Sequence, residues 1–210
     1  RLGMGDDAAA LEVAPGTTIL LTTDMLIEGT HFPGETPARQ VGHKAVARAV
    51  SDLAAMAGRP VCTLATVSFA GKETDTERRE LLESLHNSAN ALSAPLIGGD
   101  ISSGTGALTL SVTAVGSEGP GGIVARSGAR PGDSVCVTGA FGGSIKGRHL
   151  SFAPRIPEAL DLAEHFDLHA LIDVSDGLST DLLHIAAESE VGLAIRAESI
   201  PVHEDATTDD

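Results

Sequence analysis

Residues 17–57, TTILLTTDMLIEGTHFPGETPARQVGHKAVARAVSDLAAMA, set the style of the whole chain. Thr17 to Asp24 follow a Pro15-Gly16 turn, are β-branched and apolar, and run out on polar residues, which predicts a strand whose polar end offers a place for a site. After Pro33-Gly34 and Pro37, the residues Val41, Val46, Val50, Leu53 and Ala57 fall on one helical stripe until Gly58-Arg59-Pro60 stops the pattern. A helix over Ala38 to Ala57 is expected.

Working outward, Val61 to Phe69 has the composition of a strand, and Thr76 to Ser93 reads as a helix with Asp75 as a candidate N-cap. Leu96-Ile97 reads as a strand running into Gly98-Gly99-Asp100, and Ala107 to Val115 as a further strand. The cluster Gly116 to Gly122 then marks a domain boundary. Beyond it, Arg126 to Asp133 is turn-rich, Ser134 to Thr138 and Leu171 to Val174 read as strands, and Pro157 to His165 as a short helix. Ser175-Asp176-Gly177 leads into a helix over Leu178 to Glu190, with Gly192 as its C-cap and the Thr207–Asp210 end expected to fray. The fold class expected is α+β, a mixed α/β chain of two domains, 1–117 and 123–210, the first a sheet covered by helices.

Bulk composition narrows the function. In 210 residues, 42% are hydrophobic, ample for a core, yet only 2% are aromatic, so there are few platforms on which bases could stack. A formal charge of −15 is the wrong sign for a nucleic-acid partner and requires bridging cations for any anionic substrate. No apolar run reaches the roughly 18 residues of a membrane span, and the N-terminus lacks a basic-then-apolar signal pattern, so a cytoplasmic protein is the default. Cys62 and Cys136 sit in apolar runs without metal-ligand spacing and read as reduced core residues.

The informative feature is where the aspartates fall. Asp6-Asp7, Asp24, Asp100, Asp173 and Asp176 stand beside Gly, Ser or Thr at the ends of apolar runs, and Asp52 lies inside a mostly apolar helix. Carboxylates brought together from several strand ends repel unless a cation neutralises them, and such hard oxygen donors suit Mg²⁺ or Ca²⁺. Each also has a local alternative: a turn cap for Asp6, Asp7, Asp24 or Asp100, an ion pair with Arg48 for Asp52, a helix N-cap for Asp176. Asp173, within LIDVSD, is the hardest to assign to local structure.

Neither G-x-x-x-x-G-K-[ST] nor G-x-G-x-x-G is present to cradle phosphate. Gly99 would let backbone approach a phosphate closely, the helix start at Ser175 to Gly177 offers amides to an anion, and Arg126 offers a guanidinium, with an ordinary surface arginine as the alternative. His31, after Glu28-Gly29-Thr30, is a candidate contact for a substrate phosphate or else a plain loop histidine. No histidines pair at zinc spacing.

The stretches GDDAA (5–9), TTDMLIEGTHF (22–32), HKAVARAVSDLAAMAG (43–58), GGD (98–100), RSGARPGD (126–133) and IDVSDGLSTDLLHI (172–185) together resemble the thiamine-monophosphate kinases, in the PurM-like superfamily that includes aminoimidazole ribonucleotide synthetase. The resemblance implies that Asp7, Thr22, Thr23, Asp24, Asp52, Asp100, Asp173 and Asp176 surround several Mg²⁺ ions. It implies that Gly99, Asp100, Arg126 and Ser175 lie at an ATP site and that His31 contacts the substrate. The implied reaction moves the γ-phosphoryl of ATP onto thiamine monophosphate, without a dedicated general base, in a homodimer whose first domains join their sheets. Beside the family's pattern, this sequence starts almost at the GDD motif and stops before a later G-G-E-D-Y-E-L-like segment. The second domain is therefore expected to be incomplete here, with the C-terminal part of the substrate pocket outside it. Two alternatives stand beside the kinase. One is another ATP-using relative, of the selenophosphate synthetase, aminoimidazole ribonucleotide synthetase or hydrogenase-maturation type; the other is a non-catalytic divalent-cation-binding domain.

Overall fold

A computed structural model describes residue 3 and residues 5–206; the Thr207–Asp210 end lies outside the described residues. The strands are β1 (Ala9–Ala14), β2 (Thr17–Ile27), β3 (Arg59–Phe69), β4 (Leu96–Ser103) and β5 (Thr109–Ser117), and the helices α1 (Ala38–Ala54), α2 (Asp75–Ala91), α3 (Ile156–His165) and α4 (Leu178–Glu188). The strands form one sheet in the order β1-β2-β5-β3-β4. Every pairing is antiparallel except β3 with β4, which α2 connects as a crossover.

Strand alternation gives the sheet two unlike faces. Leu20, Leu26, Ala65, Val67, Phe69, Leu110, Val112 and Ala114 point at the helices and are buried against Val41, Val46, Val50 and Leu53 of α1 and Leu81, Leu85 and Ala89 of α2. On the other face Leu11, Met25 and Leu64 are exposed. The two helices pack closely because Gly42 has no side chain: a Cβ there would lie 2.7 Å from that of Ser84.

Three helices end short of their expected limits for one reason. Ala57, Ser93 and Glu190 all take the left-handed conformation, with φ of 54°, 57° and 54°. Each is the turning residue of a Schellman motif. Gly58 N donates to Leu53 O at 2.8 Å, Ala94 N to Ala89 O at 2.8 Å and Val191 N to Ala186 O at 3.0 Å. The usual glycine marker is absent, so the apolar pattern ran on to the turning residue itself; Gly192 is not the cap of α4. At the start of α2 the cap is Thr74 rather than Asp75, in a capping box with Glu77.

Two other expectations change. β4 does not end at Ile97 but runs on through Gly98-Gly99-Asp100 to Ser103, which removes the turn-residue alternative for Asp100. Gly99 is required there, with φ 155° and a Cβ position only 1.7 Å from the Ala65 carbonyl oxygen. Ser134 to Thr138 and Leu171 to Val174 form no ladder among the described residues, so they are extended segments rather than strands. Without a covering partner, Val135, Val137 and Val174 are exposed. Cys136 is exposed with them and Cys62 is half-buried, so neither is a core residue.

Residues beyond the sheet are tied to α1 and its C-terminal turn and to one another. Val124 N donates to Met56 O at 3.2 Å, Leu171 N to Ala125 O at 3.0 Å, and the His43 ring Nε2 meets Phe152 O at 2.8 Å. The close approach at Gly99 yields the first test. Gly99→Ala is expected to cost more than about 1 kcal/mol in chemical denaturation, because the added methyl displaces β4 from β3; unchanged stability would contradict the placement of β4.

Candidate functional site

Alternation divides the TTD of β2. Thr22 and Asp24 share the parity of buried Leu20 and Leu26 and face α1, whereas Thr23 faces the open side. Across from them, α1 presents Arg48, Ser51 and Asp52. Arg48 Nη2 donates to Asp24 at 3.0 Å, so it does not form the local pair with Asp52 that its spacing allowed. Asp52 instead accepts the Thr22 hydroxyl at 2.5 Å. Asp24 lies inside β2 rather than at a turn.

Two further carboxylates arrive from distant segments. Asp173 accepts the Ser51 hydroxyl at 2.7 Å, which carries the 171–174 segment onto α1. Asp7 follows the Gly5 turn. Asp7, Asp52 and Asp173 each present a carboxylate oxygen, and the three atoms lie within 4.8 Å of one another. Oxygens sharing one Mg²⁺ or Ca²⁺, at bonds of about 2.1–2.5 Å, can be at most about 5 Å apart, so the three meet the geometric demand of a hard divalent cation.

Burial pushes the Asp52 carboxyl up to about 8, with the Thr22 hydroxyl pulling it down and Asp24, Asp173 and Asp7 pushing it further up. Burial likewise pushes Asp173 up to about 6, against the Ser51 hydrogen bond and with Asp7, Asp181 and Asp24 adding to the rise. Asp24 is raised by burial, partly offset by the charges of Arg48 and His31. Crowding of like charge in a desolvated place is what a bound cation relieves.

Arg126 is not a free surface arginine. Its Nε donates to Asp7 Oδ2 at 3.0 Å and its Nη2 to Asp7 Oδ1 at 2.7 Å, a two-pronged pair, while its backbone N–H goes to Asp6 at 2.8 Å. Asp6 therefore serves as a loop tie. The amides expected to be free at the start of α4 are taken: those of Ser175, Asp176 and Gly177 donate to Asp181 Oδ2 at 3.0, 3.1 and 3.1 Å. The N-cap of α4 is Gly177, not Asp176, whose carboxylate is exposed beside it.

Gly99 and Asp100 lie elsewhere. Asp100 is opposite Thr66, Thr66 opposite Ser111, and Ser111 opposite Met25, which places Asp100 three strand spacings from β2, roughly 14 Å. It shares the open face with Thr23, whose hydroxyl meets those of Thr113 at 3.1 Å and Ser111 at 3.3 Å. His31 Nδ1 accepts from Ile27 N at 3.0 Å, and its carbonyl accepts from Lys44 Nζ at 2.6 Å.

Ser51, Lys44 and Asp181 were not singled out from the sequence. Asp181 had a signal: positions 178, 181, 182 and 185 share one helical stripe, and a carboxylate among Leu178, Leu182 and Ile185 is out of place.

Residues 5–117 match the model of the AIR synthase related protein, N-terminal domain. Thiamine-monophosphate kinase of Rhodopirellula baltica is 36% identical over 97% of this chain and 66% of its own length. That of Bacillus subtilis is 31% identical over 97% of this chain and 70% of its own. The chain belongs to the thiamine-monophosphate kinase family. It spans about two thirds of the length of these curated relatives, which are enzymes. The solved structure of AaThiL complexed with AMPPCP and TMP superposes with a TM-score of 0.89 at 30% identity, over 96% of this chain and 70% of that one. A hydrogenase maturation protein HypE in complex with ATP, at 21% identity and a TM-score of 0.76, shares the fold. The mixed α/β, PurM-like fold expected from the motifs is thus the fold of the thiamine-monophosphate kinases. Among the described residues no helix is long and apolar enough to cross a membrane.

The raised carboxyls of this family member have a measurable consequence. Asp52 holds its proton to about 8 in the folded chain and to about 4 when unfolded, so its contribution is fully favourable below about pH 4 and is lost as the pH rises toward 8. With divalent cations chelated, Asp52→Asn is expected to raise the melting temperature progressively more above the parent's between pH 5 and pH 8. A difference that stays constant with pH would contradict the burial and crowding described.

Proposed function

We propose that the acidic cleft between β2, α1 and the Asp173 segment transfers the γ-phosphoryl group of ATP to the phosphate of thiamine monophosphate, giving thiamine diphosphate and ADP. The observation that carries this is the convergence of Asp7, Asp52 and Asp173 oxygens within 4.8 Å. The donor and acceptor are supported by the AMPPCP and TMP of the AaThiL complex and by the kinase relatives.

Mg²⁺, when bound, supplies the positive charge that offsets the carboxylates and the phosphoryl oxygens. In this reading Asp7, Asp52 and Asp173 form the centre of its ligand set, with Thr22, Asp24 and Asp176 around it. Arg126, now on Asp7, is close enough to the cleft to pair with a nucleotide phosphate, and Ser175 adds to the ATP contacts; Gly99 and Asp100, on β4 three strands away, join them only across a contact between two copies of the chain. Because His31 Nδ1 accepts from Ile27 N, Nε2 carries the ring N–H and can donate to a substrate phosphate oxygen. Thr23 and Asp100 lie on the open face of the sheet with exposed Leu11, Met25 and Leu64. We place a homodimer contact there, and the part of Thr23 and Asp100 in the site is made at that contact. The enzyme is read as cytoplasmic, with two domains meeting between residues 117 and 123.

The chemistry asks little more of the chain. The acceptor phosphate has its second pKa near about 6 and is an oxyanion at neutral pH. Its oxygen forms the new bond to the γ-phosphorus, the bond to the β-bridging oxygen breaks, and ADP leaves with that electron pair. No proton is removed in the step, so no general base is assigned; the side chains hold the reactants in line and keep charge balanced.

Full-length protein supplied with ATP, Mg²⁺ and thiamine monophosphate is expected to form thiamine diphosphate, with Asp52→Asn and Asp173→Asn each slowing it roughly 100-fold or more. If the parent binds MgATP but forms no thiamine diphosphate, the acceptor is a different one. Variants as fast as the parent would remove the cluster from the mechanism.

A further inference from the structure

Asp181 is a buried carboxylate, 3% exposed, for which phosphoryl transfer as described has no use. Its Oδ2 accepts three consecutive amides, those of Ser175, Asp176 and Gly177, at 3.0 to 3.1 Å. Those amides belong to the turn that directly follows Asp173. A Ser or Thr at the N-cap would satisfy the helix start without adding a charge; here the cap is Gly177, with no side-chain bond, and the acceptor reaches back from the helix's first turn. The added negative charge makes ionisation of Asp173 harder, so Asp181 is poorly placed to relieve crowding in the cleft. What it does supply is one fixed oxygen that gathers three backbone donors.

The far end of α4 holds the facing loop in a similar way. The Ser189 hydroxyl donates to Arg126 O at 3.1 Å and accepts from the amides of Gly128 and Ala129, each at 3.1 Å. One helix thus fastens both the Asp173 turn and the Arg126 loop.

We infer that Asp181 is a positioning residue, whose carboxylate fixes the 173–177 turn so that Asp173, Ser175 and Asp176 are presented to the metal-bound nucleotide. The inference rests on the proposed phosphotransfer site and deepens it. It also means that the amides of this turn are closed to phosphate, leaving side chains to make the turn's contacts.

The test uses full-length protein, with Mg²⁺ binding followed calorimetrically and MgATP half-saturation followed kinetically. Asp181→Ala and Asp181→Glu, which remove the oxygen or move it by a methylene, are expected to weaken both by roughly 10- to 100-fold. Asp181→Asn, which keeps an acceptor oxygen in place, should restore both to within about threefold of the parent, and the KM for thiamine monophosphate should change less than about threefold throughout. Where Asp181→Ala does not fold, the Glu and Asn pair decides. Half-saturation unchanged in Asp181→Glu would overturn the inference, and so would a loss confined to melting temperature and active fraction. A parent that forms no thiamine diphosphate would remove the substrate assignment, while the Mg²⁺ titration would still judge Asp181.

Discussion

Three carboxylates held within 4.8 Å of one another in a desolvated cleft are the constraint around which this chain is built. Two like charges about 4 Å apart repel by about 1 kcal/mol in water and about 4 kcal/mol near a protein surface. The chain meets that repulsion locally. Thr22 and Ser51 donate hydroxyls to Asp52 and Asp173, and Arg48 and Arg126 bring cations to Asp24 and Asp7. Protons take up the remainder, as the raised Asp52 and Asp173 carboxyls show. Each device is one a divalent cation can displace, and that makes the cleft suited to charge-driven chemistry.

The fold exists in service of that convergence. A sheet covered on one side lets β2 place Thr22 and Asp24 against α1, and the apolar stripe of α1 fixes the rotation at which Ser51 and Asp52 meet them. The second half of the chain then needs only to deliver Asp173 and Arg126. It does so through a few backbone bonds and through α4, whose two ends clamp the loops concerned.

The three carboxylates that converge in the candidate site were among those legible before any coordinates. Asp7, Asp24 and Asp173 stood out beside small polar residues at the ends of apolar runs, and Asp52 inside a mostly apolar helix; a carboxylate buried there has to be compensated. Which of them meet was not legible: period-two alternation separates Thr23 from Thr22 and Asp24, but only the packing of α1 decides which side is covered. Gly98-Gly99 left a turn open as the alternative for Asp100 because glycine usually punctuates, whereas Gly99 is present so that β4 can approach Ala65. Helix ends were overrun where Ala57, Ser93 and Glu190 hold a conformation that glycine normally signals. β1 escaped notice because Ala9–Ala14 has little β-branched character. Ser134 to Thr138 has the alternation of a strand, yet a strand is a property of two segments, and no ladder partner is present among the described residues.

The most direct test of this account is anomalous diffraction from crystals of the full-length protein soaked in Mn²⁺. A peak within bonding distance of the Asp7, Asp52 and Asp173 carboxylates, with Arg126 displaced from Asp7, is the result expected. Mn²⁺ bound only elsewhere, with the Arg126–Asp7 pair intact, would contradict it.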